Sequence, residues 1–396
     1  MSYSVWYQGF QASSPLMRHT IVRDFLANQA QWEEVTSDDF AAAVVSVCQM
    51  LAEHNQLTEL AELVRQLKAQ TPELATLVLP AWHQLALQDA LYQDRTSELS
   101  EHLEALLLAP AAGIQWPAIL DEMAFYGQGE LAAQWAFRLE SALDPEELAR
   151  NQELAYALEQ HQVFDAMGRY WGSNRQAADH QAFVATLLAA DLDPEDFEAI
   201  VQLRDATPLM RIAAIKQGFR ERDLDAALLP SQLAFGQWAH GLGLDPVTAA
   251  AMVEAAFGLW DLAPEAKRPE FDKWLKIKAE DFHGWASQIS HEDPHAGFVL
   301  LWGLPHVGAW LSDQGLASML LPHYLNALLP PAKSALFAKS GHGLWTASFV
   351  HRWPRPAAVS EADFTAEQLL FAASRNQTEA LSEDPSAGQT FDGDAH

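Results

Sequence analysis

The residues best suited to chemistry by type and spacing are His291-Glu292-Asp293-Pro294-His295, which fit the H-E-x-x-H pattern. On one helix turn, imidazoles at i and i+4 can share a zinc ion while the intervening Glu polarises a metal-bound water. His291, Glu292 and His295 therefore define a metal-dependent hydrolase as one alternative for this chain. Pro294 works against it. Inside a helix it removes an N–H, clashes with the preceding turn and drives Asp293 out of helical conformation. Asp293-Pro294 is expected instead to form the N-cap and first position of a new helix beginning His295-Ala296-Gly297-Phe298. His283, His306 and His323 are the candidates for a third ligand. Phe298 stands where the longer form of such motifs requires Gly.

Pro-His recurs at Pro294-His295, Pro305-His306 and Pro322-His323. Each pair is expected to open a helix, where the dipole disfavours a protonated imidazole in the first turn. No phosphate-cradling glycine loop and no G-x-S-x-G nucleophile turn occurs, so no cofactor is expected. The one cysteine, Cys48, lies in an apolar stretch running from Asp38 to Ala52 and reads as a core thiol. Trp302 and Trp310 flank Pro305 and read as core or interface anchors.

The composition narrows the function classes. Among 396 residues, 24 Lys and Arg stand against 53 Asp and Glu, a formal charge of −29. That field repels nucleic-acid phosphates and anionic lipid, so neither nucleic acid nor membrane is an expected partner. One cysteine excludes an internal disulfide framework, and no basic segment followed by an apolar one opens the sequence, so a cytoplasmic location is expected. The stretch from Ala296 to Ser312 carries no charged residue but contains Gly303, Pro305 and His306. It falls short of the roughly 20 residues of a spanning helix and reads as a buried helix pair.

The elements that must position these residues are helical. Phe40, Ala43, Val44 and Val47 recur at helical spacing after Ser37-Asp38, and Asp193-Pro194 and Thr207-Pro208 look like cap-and-first-position pairs. Pro72, Pro110 and Pro145 close runs of helical character at Gln56–Thr71, Arg95–Ala109 and Gly129–Asp144. Trp82 and Trp116 are 34 apart, with Leu85 and Ile119 three residues later and Leu99 and Ala133 seventeen later. Four further on stand Leu103 and Phe137. A helical hairpin repeated at this period buries its apolar face only when the next hairpin stacks on it.

These residues resemble the tetratricopeptide repeat, over about residues 80–145. Trp116, Ala133, Phe137 and Pro145 stand in the family's aromatic, small-x3-aromatic and closing positions. Leu120 and Met123 replace the family's Gly and Tyr, Leu99 and Leu103 replace its Ala and aromatic, and the unit from Trp116 to Pro145 is one residue too long for the family's period. The resemblance implies an all-α, TPR-like solenoid packed through Trp82, Leu85, Trp116, Ile119, Ala133, Phe137 and Pro145. It also implies a protein ligand, received on a concave face formed by the first helices of the repeats.

The expected organisation is a capping segment (1–35), TPR-like repeats (36–203), a second helical region (204–375) and an acidic disordered tail (376–396). The shift is compositional. Residues 1–160 carry 7 basic and 23 acidic residues, whereas eight of fourteen Trp lie between 238 and 353. The basic clusters at 204–222 and 267–278 are interleaved with carboxylates and read as solvated helix faces. The function these features imply is a scaffold or adaptor for a partner with a basic face. Glu98, Glu101, Asp121 and Glu122 are its candidate contact residues. A regulatory or immunity-type protein sequestering a basic protein is a further alternative, supported by the charge alone.

Overall fold

The structure, a computed structural model, describes residues 3–28, 38–53, 56–109, 114–190, 192, 194–263 and 274–376. The described residues are helical, with no β-strand among them. They divide into two compact units, one of residues up to Ile114 together with those from Ala372, the other Gln115–Phe371. Ser37, Pro110, Asp193 and residues 377–396, which include most of the expected tail, lie outside the described residues.

In the first unit α1 (Tyr3–Gln11) and α2 (Pro15–Ala27) precede α3 (Asp38–Glu53), α4 (Leu57–Gln70), α5 (Pro72–Tyr92) and α6 (Thr96–Leu107). Each helix is held by a stripe at the expected period. Phe40, Ala43, Val44, Val47, Cys48 and Leu51 of α3 are buried, as are Leu60, Leu63, Val64 and Leu67 of α4. Leu99, Leu103 and Leu106 of α6 are buried with them. Packing follows chain order, with α4 on α3, α5 on α4 and α6 on α5. The helices expected from the proline spacing are α4, α6 and, in the second unit, Gly129–Ala142, but Pro72 and Pro145 open the helices that follow rather than ending those before.

The second unit contains α7 (Trp116–Phe125), α8 (Gly129–Ala142), α9 (Pro145–Arg150), α10 (Gln152–Gly172), α11 (Ala177–Ala189), α12 (Pro194–Asp205) and α13 (Pro208–Glu221). It continues with α14 (Leu224–His240), α15 (Pro246–Asp261), α16 (Ala279–Glu292), α17 (Pro294–Asp313) and α18 (Leu321–Ser340). A 3-10 segment, Gly341–His351, follows, and α19 (Glu361–Asn376) lies in this unit as far as Phe371. Its centre is α15, which packs against α7, α10, α14, α16 and α17. Alanines at 249–251, 255 and 256 let these neighbours approach closely. A Cβ on Gly303 of α17 would lie 2.6 Å from Met252 Cγ. Because α10 packs on both α8 and α15, residues on either side of 203 belong to one unit. The division thus falls at 114/115, inside the stretch expected to form one array, and not at the compositional shift.

The helix ends show which local signals acted. Thr207 caps α13 by accepting from Met210 N–H at 3.3 Å, with Pro208 in the first position, as expected. The corners after α5 and α7 are the same turn. Arg95 N–H donates to Ala90 O at 2.8 Å across left-handed Asp94, and Gln128 N–H donates to Met123 O at 2.8 Å across left-handed Gly127. Trp82 and Trp116 stand ten and nine residues before the ends of their helices. The uncharged stretch 296–312 is the interior of a single helix, α17, and not of a pair, because the helix continues through Pro305. Burial of Phe298, Leu300, Leu301, Leu304 and Val307 outweighs the hydrogen bond lost there. Pro305-His306 accordingly opens no helix, whereas Pro294-His295 and Pro322-His323 lie in first turns. No described helix is long and apolar enough to cross a membrane.

A carboxylate-lined cleft as candidate functional site

A cleft in the second unit with a volume of about 360 Å³ is walled by α7, α10, α15 and the α16–α17 junction. Each helix contributes one side-chain stripe. Asp121 projects from α7, Glu153, Tyr156 and Gln160 from α10, Glu254 from α15, and Asp293 and His295 from the junction. Positions 153, 156 and 160 share one face of α10, and 251, 254, 255 and 258 share one face of α15. Small residues, among them Ala118, Ala251, Ala255 and Gly258, are part of its lining and leave room between the packed helices. Four carboxylates line it, and its lining contains no Lys or Arg.

Electrostatics differ from one group to the next. Glu254 has its carboxyl pushed up by burial, against the pull of the neighbouring Gln160 amide, and the Asp121 charge adds to the rise. His295 is pulled down by burial, with Asp293 and Asp121 opposing, so its imidazole is uncharged at neutral pH. Its ring packs edge-on to Phe349, with centroids 5.8 Å apart. Asp121 is anchored from behind, where its Oδ1 accepts from Nε2 of the fully buried His161 at 2.9 Å. That contact puts the proton on Nε2 and leaves His161 Nδ1 buried with no hydrogen-bond partner. Asp165, paired with Arg169 at 2.9 Å, is raised by burial. Asp245, which caps α15 through Val247 and Thr248 N–H, is raised to about 6 by burial, with His161 and the capping N–H groups opposing.

Of the residues expected from sequence to contact a partner, only Asp121 lines this cleft. Glu122 is a correction: it is 3% exposed and is buried in the second unit, not presented at the surface. That helix is packed between α8, α10 and α15, so a charged residue on it need not reach solvent. Glu98 belongs to the first unit and pairs with Arg95 at 2.5 Å, while Glu101 is exposed there. Among the repeat-packing residues, Leu85, Trp116, Ile119 and Ala133 are buried. Trp82 and Phe137 are partly exposed and Pro145 is at the surface.

The His291-Glu292-His295 string is divided between two helices. Asp293 is extended, at φ −140° and ψ 109°, and accepts from His295 N–H at 2.8 Å as the cap of α17. His291 Nδ1 contacts Lys339 Nζ at 3.3 Å on α18, while His295 lines the cleft. The two imidazoles are therefore not presented by one helix turn. Among the described residues, no three His, Cys, Asp or Glu side chains are grouped to hold a metal ion.

Sequence reasoning also passed over a histidine pair in the first unit. His83 of α5 and His102 of α6 bring their Nδ1 atoms within 3.1 Å, both buried. His83 is pulled down to about 4 by burial first, then by His102 and Lys68. Nineteen residues apart on neighbouring helices, they carry no local spacing signal. No family model, curated protein or solved structure matches the chain.

Proposed function

We propose that this chain is an all-α scaffold or adaptor that binds another protein through a basic surface on that partner. Its helical hairpins from 36 to 203 would be TPR-like repeats of a solenoid. The observation that carries the reading is the cleft of the second unit, which four carboxylates from four elements line without a Lys or Arg among the lining residues. A partner cation there would meet Asp121, which His161 already orients, and complementary charge speeds encounter and selects against acidic competitors. The sequential packing of α3 to α6 and the equivalent corners at Asp94 and Gly127 support a repeated hairpin. The single, buried cysteine is compatible with a reducing compartment, and we place the protein in the cytoplasm.

The test is capture of partners by the immobilised full chain at low and high salt, beside a variant carrying Asp121→Asn, Glu153→Gln and Glu254→Gln. A stoichiometric partner with a basic face, retained at low salt and lost both at high salt and from the variant, is the expected result. Capture that is indifferent to salt and to all three substitutions sinks the reading.

A further inference from the structure

We propose that the pocket between α13, α14 and the end of α17 binds a small organic acid, its carboxylate on Arg211 and its apolar body on Trp238 and Trp310. Each helix gives the pocket one stripe: Arg211 and Ile212 from α13, Gln237 and Trp238 from α14, Trp310 and the capping Gln314 from α17. Its volume is about 200 Å³. Sites for drug-sized ligands start at about 300 Å³, so the occupant that fits is a single-ring acid and not a peptide. Arg211 is 3% exposed, yet among the described residues no carboxylate pairs with it. Its hydrogen bonds go to neutral acceptors, Leu203 O at 2.8 Å, Arg204 O at 2.9 Å and Gln237 Oε1 at 2.5 Å. Leu203 and Arg204 stand in the last turn of α12, whose dipole offers only about half a unit of negative charge. A guanidinium has five N–H donors, so two of them stay open. Burying a cation with so little opposite charge beside it costs stability, and a ligand carboxylate supplies that charge while accepting from the fork.

The other polar groups of the lining are short of acceptors as well. Arg211 can only donate, so the Gln237 oxygen faces it and the Gln237 NH2 is turned away, with no acceptor among the described residues. Trp310 is 1% exposed, and its indole N–H likewise has no acceptor among the described residues. Trp238 Nε1 instead donates to Asp313 at 3.2 Å, which fixes that ring at the pocket wall. Donors without acceptors, around a cation without an anion, select an anionic acceptor, and the lining holds no Asp or Glu to compete with it. The chain's charge of −29 opposes an anion from a distance, but physiological salt screens charges beyond about 8 Å. Arg175 and Asp205 act on Arg211 with opposite signs, so the guanidinium itself sets the sign of the site.

The experiment titrates the full chain, labelled at the indole N–H groups, with sodium benzoate and follows them by NMR. Trp238→Phe and Trp310→Phe identify the two signals. Benzamide and benzylamine, of similar shape, are the neutral and cationic controls. The expected result is a saturable shift of both indole signals with benzoate, and affinity about tenfold lower or worse for either control. Arg211→Lys keeps the charge but loses the planar fork, and should weaken benzoate about tenfold. Trp310→Phe keeps a ring and loses one donor, and should weaken it about three- to tenfold, read from Trp238. That second variant leaves Arg211 and its acceptors in place, so it decides the matter if Arg211→Lys does not fold. Equal affinity for benzamide overturns the proposal, as does the absence of a saturable shift at both indoles. Benzoate affinity unchanged by Trp310→Phe overturns it too. The scaffold reading is tested separately, because the carboxylate cleft shares no lining residue with this pocket.

Discussion

Asp245 offers the sharpest test of the electrostatics behind the cleft. Its carboxyl caps α15 and stands among His161, Asp165 and the α15 N-terminal N–H groups, and burial lifts it from 3.8 to about 6. Between those values the folded chain holds a proton that the unfolded chain has released. The native state therefore binds more protons, and the stability contributed by this group falls as pH rises through the window. Two units correspond to about 3 kcal/mol in all, at 1.36 kcal/mol per unit. About half of that, roughly 1.4 kcal/mol, lies between about pH 5 and about pH 7.5, because the unfolded carboxyl is already ionised at the lower end. Asp245→Asn keeps a side-chain oxygen for Val247 and Thr248 N–H, so the cap survives while the titration disappears. Urea unfolding of both proteins should show the variant gaining about 1.4 kcal/mol relative to the parent across that interval. The work belongs at low protein concentration, since the sequence pI is about 4.7. A carbon-13 titration of the carboxyl supplies the independent check. A midpoint near 3.8 together with a flat stability difference would refute the burial argument.

Three further outcomes follow from the packing. His83 is drawn down to about 4, so its ring should remain neutral on acidification well past the ordinary 6.5, and its stabilising effect should be lost as pH falls between those values; a ring-proton midpoint at 6.5 contradicts this. Arg211 is buried and donates to Leu203 O at 2.8 Å, to Arg204 O at 2.9 Å and to Gln237 Oε1 at 2.5 Å. Arg211→Met should destabilise by about 2–4 kcal/mol by stranding those acceptors, and a change in urea midpoint within error would disprove the network's importance. The Cys48 thiol, 1% exposed and pushed up to about 12, should resist a thiol reagent in the native state and react fully in urea. Rapid native labelling would show that α3 does not bury it.

What was legible in the sequence acts over three or four residues. Asp293-Pro294 and Thr207-Pro208 each place a side-chain acceptor and a missing N–H where a helix begins, and both do so here. The apolar stripe of α3 is likewise read directly from its spacing. The corner after α7 carries Gly127 as a visible signal, but the equivalent corner after α5 uses Asp94, whose left-handed conformation has no such mark. The cleft was illegible for a different reason. Positions 121, 153, 254 and 293 line one cleft only because α15 packs against α7, α10 and α17 at once, and no spacing within any one helix encodes that arrangement.

The division into compact units has the same origin. A compositional shift reports surface chemistry, whereas cohesion is set by which apolar faces interlock. Basic and aromatic residues increase after 204, yet Trp353 Nε1 donates to Phe125 O at 3.1 Å and Tyr126 Oη lies 2.8 Å from Ser348 Oγ, tying α7 to the end of the same unit. Those contacts span more than 200 residues. They also explain Glu122. A carboxylate on α7 is enclosed because α8, α10 and α15 cover that helix, and Asp121, one residue away, reaches the cleft because the helical turn carries it to the remaining open side. Charge alone suggested that both residues were surface groups. The packing separates them, leaving one in the interior and one at the mouth of a cleft, and it is on Asp121 that the binding proposal depends.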